Sequence, residues 1–366
     1  MARTQILPSD PGAVKVYSAS VAVDVAKKSY FNSKMAGTET QKLPVLVKTD
    51  LESGAGDEVT CYLVAKLRGR PAQGAEKLEG REMRLSKYTD KLRVDKFRNG
   101  VNVGDVMDQK RVKWSIKSQA RDRLSDYIAE FEDEMTMMHA AGARGVGAEI
   151  QHFPADWTAW PNGFVAPDAG HQTYPGAVAS KGGLTNEKLS LADIDKLAAK
   201  AKKFLGTEAN GAKMTPITIE GGVHFLLLTG VEGMYDIRRE AGDQGWLAIQ
   251  KAAAAAEGRK NPIFDGSAGM YNKVILQEHE GVIKFNDYGA GSVKAMRSLF
   301  LGAHAVSKAY GFKGNGGVRY KLSESGLDLD EEAVIHFRTI LGIKASTFNG
   351  QRFGMIAHDH CYTEIN

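Results

Sequence analysis

The chain has 366 residues, 43% of them apolar and 25% charged, enough to bury a large core divided between two domains, and its net charge of +4 is too slight by itself to mark a nucleic-acid binder. Its two cysteines, Cys61 and Cys361, lie far apart, which excludes a disulfide framework and a paired-cysteine zinc site. The first residues lack the basic-then-apolar order of a secretory signal, and the longest apolar run, around Val223 to Leu228, is far too short to span a bilayer, so no membrane partner is expected.

In chain order, Asp10-Pro11 opens a short helix with Val14, Tyr17, Val21 and Val25 on one side, ending near Tyr30-Phe31, and Pro44 to Asp50 reads as an extended link. The most informative stretch follows, from Gly56 to Gly142. Glu58 to Arg68 alternates, with Val59, Cys61, Leu63, Ala65 and Leu67 on one face and Thr60, Tyr62, Lys66 and Arg68 mostly on the other, the period-2 pattern of a half-buried strand. Gly69, Pro71, Gly74 and Gly80 punctuate a tip. The return arm (Met83, Leu85, Leu92, Val94) is laced with Arg81, Arg84, Lys87, Lys91, Arg93, Lys96 and Arg98. Such a long basic hairpin is expected to lack a core of its own, and an isolated two-stranded ribbon is marginal in water, so a neighbouring copy is expected to cover it. Arg68, Gly69, Pro71, Gly74, Arg81 and Arg84 are the candidate contact residues. An ordinary surface hairpin with a solvated charged face is the plain alternative.

From Val106 to Ala141 there is neither proline nor glycine, and Ala120, Leu124, Tyr127, Ile128, Phe131, Met135 and Met138 fall at the spacing of one helical stripe. Gly104-Asp105 supplies a start signal and Gly142 a left-handed stop. A helix of that span is roughly 50 Å long, against an ordinary mean of about 12 residues, and needs a long surface to lie on. The stripe does not keep a strict heptad, which disfavours a coiled coil.

Beyond Gly142 a section rich in glycine, proline and aromatics (Phe153, Trp157, Trp160, Phe164, Tyr174) reads as a long ordered loop or insertion. Leu189 to Leu205 is patterned as a helix, opened by the capping box of Ser190 and Asp193. Ile217 to Thr229 is a candidate buried strand, Arg238 to Glu257 a helix containing the alanine run 252–256, Val274 to Phe285 a strand, Val293 to Tyr310 a helix, and Gly350 to Thr363 a final strand. Without a strict βαβ alternation, the class is α+β.

Catalytic motifs are sparse. No phosphate-binding loop is present, and Gly142-Ala-Arg-Gly-Val-Gly147 has its glycines in the wrong order for a dinucleotide fingerprint. His279-Glu280 lacks the second histidine of a zinc protease, Ile283 standing in that place. In His358-Asp359-His360-Cys361 the two histidines would share one face of a strand and reach one metal, which would make a metal-dependent enzyme. Two ligands do not complete a site, and a polar terminal strand explains the pair equally well, so no cofactor is expected. Asp236, Arg238, Arg239 and Glu240 read as caps and solvated ion pairs. The Lys and Arg excess between Lys66 and Arg123 would serve a nucleic-acid-binding protein, but it lacks regularly interleaved aromatics. Its cations alternate with Glu76, Glu79, Glu82, Asp90 and Asp95, so pairing with acidic groups of a neighbouring subunit is the preferred expectation.

Several strings, taken in order, carry a resemblance: Thr49-Asp-Leu-Glu, Gly56-Asp-Glu-Val-Thr, Leu78-Glu-Gly-Arg-Glu, Asp108-Gln-Lys-Arg-Val, Asn261 to Tyr271, Gln277-Glu-His-Glu, Leu299 to Ala305, Gly342-Ile-Lys and Phe348 to Gly354. Together they resemble the major capsid proteins of the phage group typified by the coliphage N-four-like podoviruses, whose subunits have the Hong Kong 97-type fold; residues 145–185 match least. The resemblance implies an N-terminal arm (1–50), an extended β-hairpin loop (51–101), a peripheral domain (102–185) with a spine helix at 106–141, a mostly axial domain (186–320), and a C-terminal segment (321–366) returning to the core sheets. It implies a structural protein without catalytic residues, made in the host bacterial cytoplasm and placed in the virion. Its copies would join as hexamers and pentamers of an icosahedral head around double-stranded DNA, touched non-specifically, with the portal protein and scaffolding or decoration proteins as further partners.

Overall fold

The computed structural model describes residue 25 and residues 28–52, 55–64, 67, 70–85, 87–147, 150–203, 214–219, 222–240, 269–289, 291–312, 319–327 and 332–365. The helix expected from Asp10 lies outside these residues except for its end, where Val25 is buried and α1 (Tyr30–Lys34) forms behind a Ser29 cap. Most of the helix expected at Arg238–Glu257 also lies outside them.

In chain order α1 is followed by β1 (Ala36–Gly37), β2 (Val45–Lys48), β3 (Glu58–Val64), β4 (Lys87–Arg93) and β5 (Asp95–Asp105), then by α2 (Val106–Arg111), α3 (Ile116–Ala141) and β6 (Gln172–Thr173). Next come α4 (Leu191–Lys203), β7 (Ile217–Ile219), β8 (Gly222–Thr229), α5 (Val231–Arg238), β9 (Gly269–Tyr271), β10 (Val274–Glu278), β11 (Lys284–Tyr288) and β12 (Val293–Leu301). The chain closes with β13 (Val306–Tyr310), β14 (Lys321–Leu327), β15 (Glu332–Ala345), β16 (Thr347–Phe348), β17 (Gln351–Arg352) and β18 (Met355–Cys361). One sheet runs β1-β2-β13-β15-β14, with β5 also paired to β15; a second runs β6-β18-β12-β8-β10-β9, with β11 on β12 and β7 on β8. The α+β class is what the structure has.

The long helix is shorter than its sequence pattern. Asp105 caps α2 as expected, but the chain turns extended at Val112, and the Ser115 hydroxyl accepts from the Ser118 N–H to start α3 afresh. At 26 residues α3 is about 39 Å long. Its stop is the one read from sequence: Gly142 is left-handed (φ 74°) and its N–H bonds to the Met138 carbonyl. Ala120, Leu124, Ile128, Phe131, Met135 and Met138 are buried, whereas from Met135 to Ala141 every residue is buried, so the amphipathic helix becomes a fully enclosed one at its end.

That helix lies between the sheets. Its apolar side chains share one core with Phe337, Leu341 and Ile343 of β15 and with Leu226, Leu228, Leu299 and Leu301 of the second sheet. The neighbouring residues Phe225, Leu227 and Phe300 point to the opposite face, where α4 packs with Leu191, Ile194 and Leu197. The second sheet is therefore covered on both faces, and strands so placed read as unbroken apolar runs. This overturns the helix expected at Val293–Tyr310: that run is β12 and β13, turned at Gly302–Ala305 with His304 left-handed (φ 57°). The expected link at Pro44–Asp50 contains β2, which pairs parallel with β13. Ile217–Thr229 is a hairpin rather than one strand, and the Val274–Phe285 strand is β10 and the start of β11 around a turn.

Candidate assembly surface

The hairpin of β3 and β4 pairs from Glu58–Arg93 to Val64–Lys87 and belongs to neither large sheet. Its base is not without cover. Val59, Leu92 and Val94 pack with Leu51 and Ala309, and Cys61 packs with Phe348 and Phe353, with Leu63 and Tyr88 alongside. Burial pushes the Cys61 thiol up. Asn162 clamps Arg93, accepting from its N–H and donating to its carbonyl, each at 2.9 Å, and donates to the Ile343 carbonyl at 3.2 Å. The Asp90 carboxylate accepts from Lys344 and from the Thr347 N–H. Gly342 permits this docking: a Cβ there would stand 2.0 Å from the Arg93 carbonyl oxygen. The expectation that neither face is buried within the subunit is thus corrected at the base, because residues far later in the chain supply the cover.

The outer part differs. Every described residue from Leu67 to Leu85 is exposed. Leu67, Leu78, Met83 and Leu85 are each at least half exposed, and Tyr62 and Val64 at the end of β3 are 69% and 50% exposed. What order the tip has comes from Glu76: Arg70 donates to both its oxygens at 2.7 and 2.8 Å, Arg81 donates at 3.0 Å and the Gln73 N–H at 3.3 Å. These bonds, Arg70 first, hold the Glu76 carboxyl below the usual carboxylate range. Exposed ion pairs of this kind are individually weak, so the tip is shaped but not covered.

Of the six candidate contact residues, Arg68 and Gly69 lie outside the described residues. Pro71, Gly74, Arg81 and Arg84 are on the exposed tip, Gly74 left-handed at φ 59°. Arg81 is engaged by Glu76 of its own loop, not left waiting for a neighbour. Other cations of the basic stripe are also engaged within the chain: Lys91 with Glu58, Arg93 with Asp57, Arg111 with Asp108, Lys117 and Arg121 with Glu324, and Arg123 with Asp126.

His358 and His360 share a face of β18, as their spacing predicts, with ring centroids 5.7 Å apart. Both are buried. His358 Nδ1 lies 3.0 Å from the Thr173 hydroxyl; His360 Nδ1 lies 2.8 Å from the Cys361 carbonyl oxygen and its Nε2 lies 2.7 Å from the Ser298 hydroxyl. Among the described residues no three His, Cys, Asp or Glu side chains group to hold a metal. Asp359, on the other face, meets Arg297 at 2.6 and 2.8 Å and also accepts from Tyr288 and Gln172. Arg297 in turn donates to the Ala141 carbonyl, so this buried pair bolts the second sheet to the end of α3. Asp236 is engaged by Thr363, and Arg238 pairs with Glu278 at 3.5 Å. Sequence reading did not single out Asn162, and it quoted Gly342 and Lys344 only within a resemblance string without a role, because what these three do exists only where the hairpin docks.

A family model described as phage capsid protein matches residues 6–364. Among solved structures, the capsid of Ralstonia phage GP4 is 38% identical over the whole of both chains, with a TM-score of 0.83. The capsid of cyanophage Pam1 is 20% identical over 93% of this chain and 94% of its own, with a TM-score of 0.71. The capsid of Helicobacter pylori bacteriophage KHP30 is 12% identical over 91% and 90%, with a TM-score of 0.64. No curated protein sequence matches the chain at a significant level.

Proposed function

The chain belongs to the phage capsid protein family, and from that premise we propose that the exposed hairpin tip is the surface by which one copy overlaps the next. The protein is a major capsid protein of Hong Kong 97-type fold, a structural component of the virion. Its work is mechanical. Many copies, joined as hexamers and pentamers, close an icosahedral shell around double-stranded DNA, each obligate contact burying on the order of 2,000 Å² or more.

The observation that carries this reading is the contrast within one hairpin. Its base is clamped by Asn162, Asp90 and the aromatic pair Phe348 and Phe353, while Leu67, Leu78, Met83 and Leu85 at the tip stand in water. A projection held firmly at its root and left apolar at its end is suited to lie on another subunit. Residues 1–50 serve as an arm to neighbours, 102–185 as the peripheral domain, 186–320 as most of the axial domain and 321–366 as the returning segment. The protein is made in the host bacterial cytoplasm and meets the portal protein and scaffolding or decoration proteins. Contact with packaged DNA is non-specific.

The test is to replace Arg68 to Glu82 by a short Gly-Ser turn. The expected product is a soluble subunit with an unchanged melting temperature that sediments without forming shells. Normal shells by electron microscopy would overturn the overlap assignment.

A further inference from the structure

Among the described residues an asparagine is followed by a glycine at Asn99-Gly100, Asn162-Gly163 and Asn349-Gly350. The backbone nitrogen after an asparagine can attack the side-chain carbonyl carbon, and glycine, having no Cβ, leaves that nitrogen open to turn. The fold treats the pairs differently. Asn162 is 6% exposed, and its carboxamide is occupied by both backbone groups of Arg93 and by the Ile343 carbonyl. Asn99 and Gly100 are paired with Phe337 and His336 along β5 and β15, and the Asn99 side-chain oxygen holds the Gly100 N–H at 2.8 Å. Asn349 and Gly350 instead stand exposed at the two-residue turn between β16 and β17, both left-handed at φ 54° and 71°. Neither the Asn349 carboxamide nor the Gly350 N–H has a hydrogen-bond partner among the described residues, and nothing lies within 4 Å of where a Gly350 Cβ would stand.

We propose that Asn349 is a site of spontaneous deamidation, and that the change loosens the root of the hairpin formed by β3 and β4. Solvent hydroxide takes the Gly350 N–H proton, and the nitrogen attacks Asn349 Cγ. The Cγ–Nδ2 bond breaks and ammonia leaves with a proton from water, so the hydroxide is regenerated and a five-membered succinimide remains. Water then opens the ring. Breaking its bond from Cγ to nitrogen gives an aspartate in the original backbone, whereas breaking the bond from the Asn349 carbonyl carbon to nitrogen gives an isoaspartyl link that runs through Cβ and Cγ. Nothing is oxidised or reduced. A left-handed asparagine holds the next nitrogen away from Cγ, so the turn must open first. Only the pairs Thr347 with Arg352 and Phe348 with Gln351 oppose that opening, because β16 and β17 join no other sheet, and so short a ribbon is marginal.

The consequence follows from what stands beside the turn. Phe348 packs edge-on against Phe353, with ring centroids 5.4 Å apart, and together they cover Cys61 of β3. An isoaspartyl link adds a backbone atom to a turn closed by two residues, so the Phe348–Gln351 register is lost and Phe348 is drawn away from Cys61. The buried thiol then becomes accessible.

The experiment is to hold the full chain in mildly alkaline buffer and to follow peptide maps by mass spectrometry, with isoaspartate read by an isoaspartyl methyltransferase, alongside labelling of Cys61 by a maleimide. The Asn349 peptide is expected to convert several-fold faster than the Asn99 and Asn162 peptides, and that order is expected to collapse when the chain is unfolded in urea. Equal rates for the three in the folded chain, or an Asn349 peptide that stays intact while the Asn99 peptide converts, would overturn the site; neither outcome needs a variant to fold. Cys61 labelling should rise in step with isoaspartate at 349. Asn349→Gly keeps a residue suited to the left-handed turn and cannot form the ring, so its labelling should stay flat. The same rise in Asn349→Gly, or isoaspartate at 349 with Cys61 still protected, would overturn the link between this turn and the hairpin root.

Discussion

His139, one turn from the end of α3, is buried between Trp157 and Phe164, with ring centroids at 6.1 and 5.4 Å. Neither of its ring nitrogens has a hydrogen-bond partner among the described residues. Burial, with the cations of Arg352 and Lys344 adding to it, pushes its pKa down from 6.5 to about 3. The unfolded chain therefore binds a proton at His139 that the folded chain refuses throughout the window between those values. Stability from this group is complete above pH 6.5 and is lost as pH falls towards 3, at ~1.4 kcal/mol per unit. At pH 5 the loss is about 2 kcal/mol.

His139→Leu keeps an apolar side chain of similar size between the two rings and removes the titration. Urea unfolding of the unassembled subunit should show the variant within about 1.5 kcal/mol of the parent at pH 8. Relative to the parent, the variant should then gain about 2 kcal/mol on moving to pH 5. His358, also buried and pushed down to about 3, contributes equally to both proteins and cancels in the difference. A gap between variant and parent that is the same at both pH values would refute the reasoning.

Local chemistry made part of this fold readable. Asp105, Gly142 and the Ser190–Asp193 pair act within three or four residues of themselves, and each ends or starts a helix where the sequence says it should. Ser115 also acts locally, but it stands inside an unbroken helical pattern, and only its bond to the Ser118 N–H reveals the restart. Val293–Tyr310 was unreadable for another reason: a strand buried on both faces loses the alternation by which strands are recognised. The candidate surface divides the same way. Alternation identified the apolar face of β3, but the cover over Val59 and Cys61 comes from Ala309, Phe348 and Phe353, and contacts across such separations leave no periodic trace. The exposed tip was legible because its glycines, Pro71 and dense charge leave nothing to bury.

Two further substitutions test how the frame is held. Gly342→Ala places a methyl group 2.0 Å from the Arg93 carbonyl oxygen, so β4 must retreat by about 1.4 Å to restore ordinary contact near 3.4 Å. The cost should be about 1–3 kcal/mol, with faster proteolysis at the hairpin base and slower assembly; a melting temperature and cleavage rate like the parent's would show that the root of the hairpin does not depend on that approach. Asp359→Asn leaves the Arg297 guanidinium buried without its anion, which should destabilise the subunit by about 3–5 kcal/mol in thermal or urea melts. The double change of Arg297→Met with Asp359→Asn should recover part of that loss, because most of the penalty belongs to the stranded charge. The recovery must stay incomplete, since Arg297→Met also frees the Ala141 carbonyl at the end of α3. A double variant no more stable than Asp359→Asn alone would mean that the pair acts through its shape and its hydrogen bonds to Ala141, Tyr288 and Gln172, and the charge argument would fail.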